Sequence, residues 1–78
     1  MARDVVLYVE QPGSMDGMQT EEFLREIGVG FMVKNVAEDE EAIVELERMG
    51  ASTTPVTVAG DEVILGFDRE RLEKLAED

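Results

Sequence analysis

Apolar and polar residues alternate along this chain with two different spacings, and the spacings divide it into strands and helices. Val5-Val6-Leu7-Tyr8-Val9 is an unbroken β-branched and aromatic run, the pattern of a central strand covered on both faces. Pro12-Gly13 then breaks it. From about residue 16 to residue 27 the spacing becomes helical. Met15, Met18, Phe23, Leu24 and Ile27 fall on or near one face, which predicts an amphipathic helix with that stripe turned inward. Met18 is expected in the core, whereas Met15 offers an adaptable exposed contact. Asp16 with Gln19 three residues later has the form of a capping box, and Ser14 is a competing cap. Gly28 and Gly30 end the helix.

Residues 31–36 read as a second strand. Strand, helix and strand within about thirty residues predict a right-handed parallel βαβ unit. Glu38, Asp39, Glu40 and Glu41 open a second helix, where the positive end of the helix dipole favours them. Its expected buried stripe is Ala42, Ile43, Leu46 and Met49, with Gly50 as the left-handed exit. A polar loop, Ala51-Ser52-Thr53-Thr54, leads to Pro55. Two strand-like runs, 56–59 and 62–65, then flank Gly60-Asp61 and predict an antiparallel hairpin. Gly66-Phe67-Asp68 opens the last helix, with Asp68 as its cap, Phe67 placed to staple onto Leu72, and Leu72, Leu75 and Ala76 toward the sheet. With no repeat and no linker, βαβαββα accounts for residues 1–78 as a single domain.

Charge narrows the choice of partners. The 19 acidic residues against 7 basic ones give a formal charge of −12, which should repel nucleic acid and anionic membrane surfaces. The acidic run 38–41 lacks the alternating oxygen ligands and turn glycine of a calcium loop, so no metal is expected there, and no cofactor motif is present. The N-terminus lacks a signal-peptide pattern and the run 5–9 is too short to span a bilayer, so the expectation is a cytoplasmic protein. Cysteine and histidine are both absent. Their absence removes disulfides, thiolate chemistry, sulfur-ligated metals and the usual neutral-pH proton shuttle. A Ser14 nucleophile would have no histidine base, which leaves helix capping as its role.

The order of elements, together with Val6-Leu7-Tyr8 running into Pro12-Gly13, then Phe23-Leu24-Arg25-Glu26-Ile27-Gly28, Thr53-Thr54-Pro55-Val56 and Gly66-Phe67-Asp68, resembles the glutaredoxin form of the thioredoxin fold. The resemblance covers nearly the whole chain. It implies an α/β domain with a four-stranded mixed sheet of order 2-1-3-4, the third strand antiparallel to the first, and three helices on its two faces. It also places the family's two active-site cysteines at Ser14 and Gly17. Thiol–disulfide exchange needs a thiolate at the first of these, and a serine hydroxyl is not ionised near neutral pH and cannot pass through a disulfide. No catalytic residue and no enzyme activity of the family's kind are therefore expected.

Binding features of the family persist. Pro55 matches its cis-proline, and Thr54 before it would offer backbone hydrogen bonds to an extended peptide or to glutathione. Asp68 matches the position that can meet the γ-glutamyl end of glutathione. The resemblance thus implies a protein- or peptide-binding groove lined by Ser14, Met15, Thr54, Pro55 and Asp68. Where many glutaredoxins carry a basic residue for a glutathione carboxylate, this chain has Glu10 and Gln11, which disfavours anionic glutathione. Tyr8 and Pro12 are also one residue further apart than in close relatives. Three readings follow: a redox-inactive glutaredoxin-like domain using this groove, a loop-rewritten cysteine-less variant of a thiol–disulfide oxidoreductase, and a glutathione-binding module without redox chemistry.

Overall fold

The computed structural model describes residues 4–10 and 15–77. In chain order the elements are β1 (Val5–Val9), α1 (Met15–Glu26), β2 (Met32–Asn35), α2 (Glu40–Arg48), β3 (Val56–Ala59), β4 (Glu62–Leu65) and α3 (Arg69–Leu75). The strands form one four-stranded sheet of order β2-β1-β3-β4, the order that the resemblance implies. β1 runs parallel to β2 and antiparallel to β3, and β3 turns back into β4 through Gly60-Asp61. Gly60 takes φ +60° in that turn, a value glycine adopts without a side-chain penalty.

The β1 sequence is apolar throughout because the strand is covered on both faces. Val5, Leu7 and Val9 join Phe23 and Leu24 of α1, Leu72 and Leu75 of α3, and Ala59 and Ile64 in one core. Tyr8 and the half-buried Val6 project the other way, into a second core with Ala42 and Leu46 of α2, Val36, Ala51 and Val56. Alternate residues of one strand therefore serve separate cores, as the pleat requires. Leu7, Leu24, Ile64 and Leu72 are wholly inaccessible to solvent, each contributing about 1.5–3 kcal/mol of burial. Thr20 and Thr57 are equally buried, and the Thr57 Oγ1 has no hydrogen-bond partner among the described residues.

Several local expectations are corrected by the packing. Met18, expected in the core, is exposed like Met15, and the buried stripe of α1 is Gly17, Thr20, Phe23 and Leu24. Thr20, buried in this stripe, stays satisfied by donating its hydroxyl to the Asp16 carbonyl at 2.8 Å. Asp16 is the second residue of α1 and not its cap. Ser14, the competing cap, and the Pro12-Gly13 break lie outside the described residues. β2, Met32–Asn35, is shorter than the strand 31–36 that the sequence predicts. Phe31 packs against the core of the α1 and α3 face, and Val36 leaves the ladder to donate its N–H to the Val9 carbonyl at 2.8 Å.

In α2, Ile43 is exposed and Met49 half-buried, because a single helix presses only its central stripe, Ala42 and Leu46, onto the sheet. The acidic start of α2 resolves into one cap: Asp39 Oδ1 accepts from the Glu41 and Ala42 N–H groups at 3.0 and 3.3 Å. Ala76 is exposed at the C-cap of α3, leaving Leu72 and Leu75 as its buried face. Phe67 meets Phe23 edge to face, with ring centroids 5.7 Å apart and planes at 88°. That contact ties the start of α3 to the middle of α1.

Candidate functional site

The C-terminal end of β1, the loop before β3 and the corner after β4 converge at one end of the sheet. Tyr8 pairs with Val56, and Val56 pairs with Leu65, so Glu10, Thr54 and the 66–68 corner lie beyond the same end of the ladder. The corner is pinned to the loop by a 2.8 Å hydrogen bond from the Gly66 N–H to the Pro55 carbonyl. Gly66 sits at φ +70°, and two residues later Asp68 caps α3, its Oδ1 accepting from the Arg71 N–H at 3.3 Å. Thr54, Pro55 and Asp68 thus share one neighbourhood.

The three residues contribute different things to it. The Thr54–Pro55 peptide bond is cis, and the Pro55 ring is fully buried, so the ring presents no surface to a ligand. Thr54 is half-buried and stands two residues before β3 begins. Its backbone N–H and C=O make no hydrogen bond among the described residues. The Asp68 carboxylate is engaged by its own helix. Met15 is exposed at the first residue of α1, Gly17 is buried at the third, and Ser14 lies outside the described residues.

Beside Thr54 a groove of ≈ 330 Å³ opens between α2 and the 51–54 loop. Val36, Leu46 and Ala51 make an apolar base, Ile43 extends it outward, and Glu10 and Glu47 stand at its edge with Ser52 and Thr53. Of this lining, sequence reasoning had singled out Thr54, and Glu10 as the substitute for a basic residue. The contribution of α2 escaped it. The available signal was the width of the α2 stripe: Ile43, Leu46 and Glu47 follow one another at helical spacing, too broad a face for one sheet surface to cover.

A second polar cluster lies on the α2 side of the sheet. The Tyr8 hydroxyl donates to Glu45 Oε1 at 2.8 Å, and Lys34 Nζ donates to both Glu45 oxygens at 2.9 and 3.2 Å while standing 5.8 Å over the Tyr8 ring. Burial, reinforced by the adjacent Glu45 carboxylate, pushes the Tyr8 phenol from 10.0 up to about 12. The hydrogen bond from Lys34 is the main cause holding the Glu45 carboxyl below its ordinary value, and the same bond raises Lys34. This cluster joins β1, β2 and α2 and presents no nucleophile: its phenol stays protonated and its amine charged. Among the described residues there is no group of acidic side chains able to hold a metal ion, and no helix long and apolar enough to cross a membrane.

Comparison with known proteins agrees with this architecture. The glutaredoxin family model matches residues 5–64. A glutaredoxin from Archaeoglobus fulgidus is 30% identical, with a TM-score of 0.80 over 97% of this chain and 88% of its own. The glutaredoxin-like NrdH-redoxin from Escherichia coli, described as having a thioredoxin-like activity profile, is 25% identical with a TM-score of 0.85, covering 92% of this chain and 93% of its own. The thioredoxin-like protein BC3987 is 29% identical with a TM-score of 0.84 over 92% and 99%. No curated protein sequence matches the chain.

Proposed function

Because this chain belongs to the glutaredoxin family, we propose that it is a redox-inactive member that binds an extended protein or peptide segment alongside Thr54. The redox half of the proposal rests on composition: the 78-residue sequence contains no cysteine, and the exchange reaction needs one thiolate to attack and another sulfur to leave. The binding half is carried by the Thr54 backbone, whose N–H and C=O are unpaired among the described residues just before the ladder begins. A strand laid against it would gain the main-chain hydrogen bonds of β-augmentation. Glutathione is a weaker candidate, since the groove edge carries Glu10 and Glu47 and glutathione is itself anionic.

Disulfide reduction tests the first half. The protein should show no turnover of insulin or of a small mixed disulfide at any pH, and turnover in a preparation free of other redoxins would overturn the proposal. The Escherichia coli protein, with its described thioredoxin-like activity and 25% identity, favours a second reading: a cysteine-less variant of an electron-transfer redoxin with a rewritten loop. Ser14→Cys with Gly17→Cys should then restore reduction. An inert double variant that remains folded would remove that second reading.

A further inference from the structure

We propose that the groove beside Thr54 selects extended segments in which an aliphatic side chain is flanked, two residues before and two residues after, by lysine or arginine. This rests on the reading of Thr54 as a pairing segment and adds the chemistry of what pairs there. The groove base is apolar: Val36, Leu46 and Ala51 are buried, and Ile43, at 42% exposure, adds aliphatic surface open to solvent. A volume of ≈ 330 Å³ falls within the usual range of ligand clefts, about 300–1,000 Å³. That range accommodates a leucine-sized side chain and its own backbone.

The edge of the groove decides the sign of the partner. Glu10 and Glu47 are the only ionic residues lining it among the described residues, both are exposed, and neither side chain has a hydrogen-bond or ion-pair partner among them. The cations nearby in sequence are committed elsewhere or lie outside the groove. Lys34 is held by Glu45, Arg25 by Glu21, Arg69 by Glu73 and Arg71 by Glu62, and Arg48 lines a separate hollow with Glu40, Glu41, Val44 and Glu45. The −12 charge of the chain acts in the same direction at longer range. Geometry supplies the spacing. In an extended segment, residues two apart point to the same face, so an aliphatic side chain aimed into the groove turns its second neighbours toward the same lining, where the charges among the described residues are Glu10 and Glu47.

The test uses the full chain, labelled with ¹⁵N, and four acetylated and amidated heptapeptides built on serine. One carries Lys, Leu and Lys at its second, fourth and sixth positions; one replaces both lysines with glutamate; one replaces both with serine; one keeps the lysines and replaces the leucine with serine. The lysine–leucine peptide should shift the amides of Val36, Ala51, Thr53 and Thr54, bind more tightly than the uncharged leucine peptide, and bind more weakly, about threefold to twentyfold, to the Glu10→Gln, Glu47→Gln double variant, the sum of two exposed ion pairs. The glutamate peptide and the leucine-free peptide should leave those amides unmoved. Equal shifts at Thr54 from the lysine, glutamate and uncharged leucine peptides would overturn the charge selection while leaving strand pairing at Thr54 intact. No shift at Thr54 from any peptide would overturn both. Lysine-dependent shifts that centre on Glu40, Glu41 and Glu45 and ignore the double substitution would reduce the effect to general acidity and overturn the proposal. A leucine-free peptide that binds as well as its parent would do the same for the aliphatic requirement. Urea midpoints of the variant must match the parent, which separates lost binding from lost fold.

Discussion

The Tyr8 hydroxyl and the Glu45 carboxylate, 37 residues apart in the chain, meet at 2.8 Å and bind the central strand to the helix that covers it. Lys34 completes the contact from the neighbouring strand. The titration of all three groups is perturbed by this arrangement, and the direction of each shift fixes its effect on stability.

Tyr8 has a folded value of about 12 against 10.0 for the free phenol. A group whose value is raised on folding stabilises fully below the unfolded value and loses that contribution as pH rises through the folded one. Lys34 is raised and acts in the same direction; Glu45 is lowered, so its contribution is present above the ordinary carboxylate value and lost as pH falls through its folded value. Urea midpoints should fall between pH 10 and pH 12, and Tyr8→Phe should flatten that limb. At neutral pH the substitution should cost about 1 kcal/mol, the usual net worth of one hydrogen bond. An alkaline limb of unchanged steepness in Tyr8→Phe would refute the assignment.

Thr57 invites the opposite experiment. Its buried hydroxyl is unpaired among the described residues, whereas the equally buried hydroxyl of Thr20 donates to Asp16. Replacing a buried unsatisfied hydroxyl with a methyl of similar shape removes a desolvation cost. Thr57→Val should stabilise the fold by about 1 kcal/mol and Thr20→Val should not. The pair is read by chemical denaturation under identical conditions, and a destabilised Thr57→Val would show that the hydroxyl has a partner.

Much of the architecture was legible in the sequence, and the reason is visible in β1. A strand covered on both faces has no polar position, and Val5-Val6-Leu7-Tyr8-Val9 has none. The Gly60-Asp61 hairpin and the Asp68 cap were equally plain, because turn and cap chemistry is local. The α1 stripe was not. Polarity ranking put Met18 in the core, yet the buried positions of the first turns are Gly17 and Thr20, and which small residues a helix turns inward is not written in hydrophobicity. The groove was half legible for a related reason. Thr54 came from the resemblance, but the part supplied by Leu46 and Glu47 depends on where α2 crosses the sheet, which is set by tertiary packing.

Asp39 and Asp68 are both helix caps, and both should cost about 1 kcal/mol when replaced by alanine. Asparagine at either position should recover most of the loss, since its side-chain oxygen accepts the same bonds. Urea midpoints for the four single variants check this. An Asp68→Asn variant as unstable as Asp68→Ala would mean that its charge, and not its cap, is what α3 needs.

Gly66 holds a backbone conformation that a side chain disfavours, φ +70°, with open space where a Cβ would stand. The penalty for alanine is therefore backbone strain and not a clash, about 1–2 kcal/mol. Gly66→Ala should lower the urea midpoint accordingly and should weaken the 2.8 Å bond to Pro55, which faster hydrogen exchange at the residue 66 amide would report. Unchanged exchange together with unchanged stability would contradict this account.

Because successive residues of β1 feed separate cores, the strand has no neutral direction in which to slip. Most sheets that shift by one residue trade a buried face for a wet one; here the same shift would send Leu7 and Val9 toward α2 and Tyr8 toward α1 and α3, mismatching both interiors at once. Substitutions in this strand can be absorbed one core at a time, but the loss or gain of a single residue cannot. The length of β1, more than the identity of any side chain in it, is what the fold holds constant.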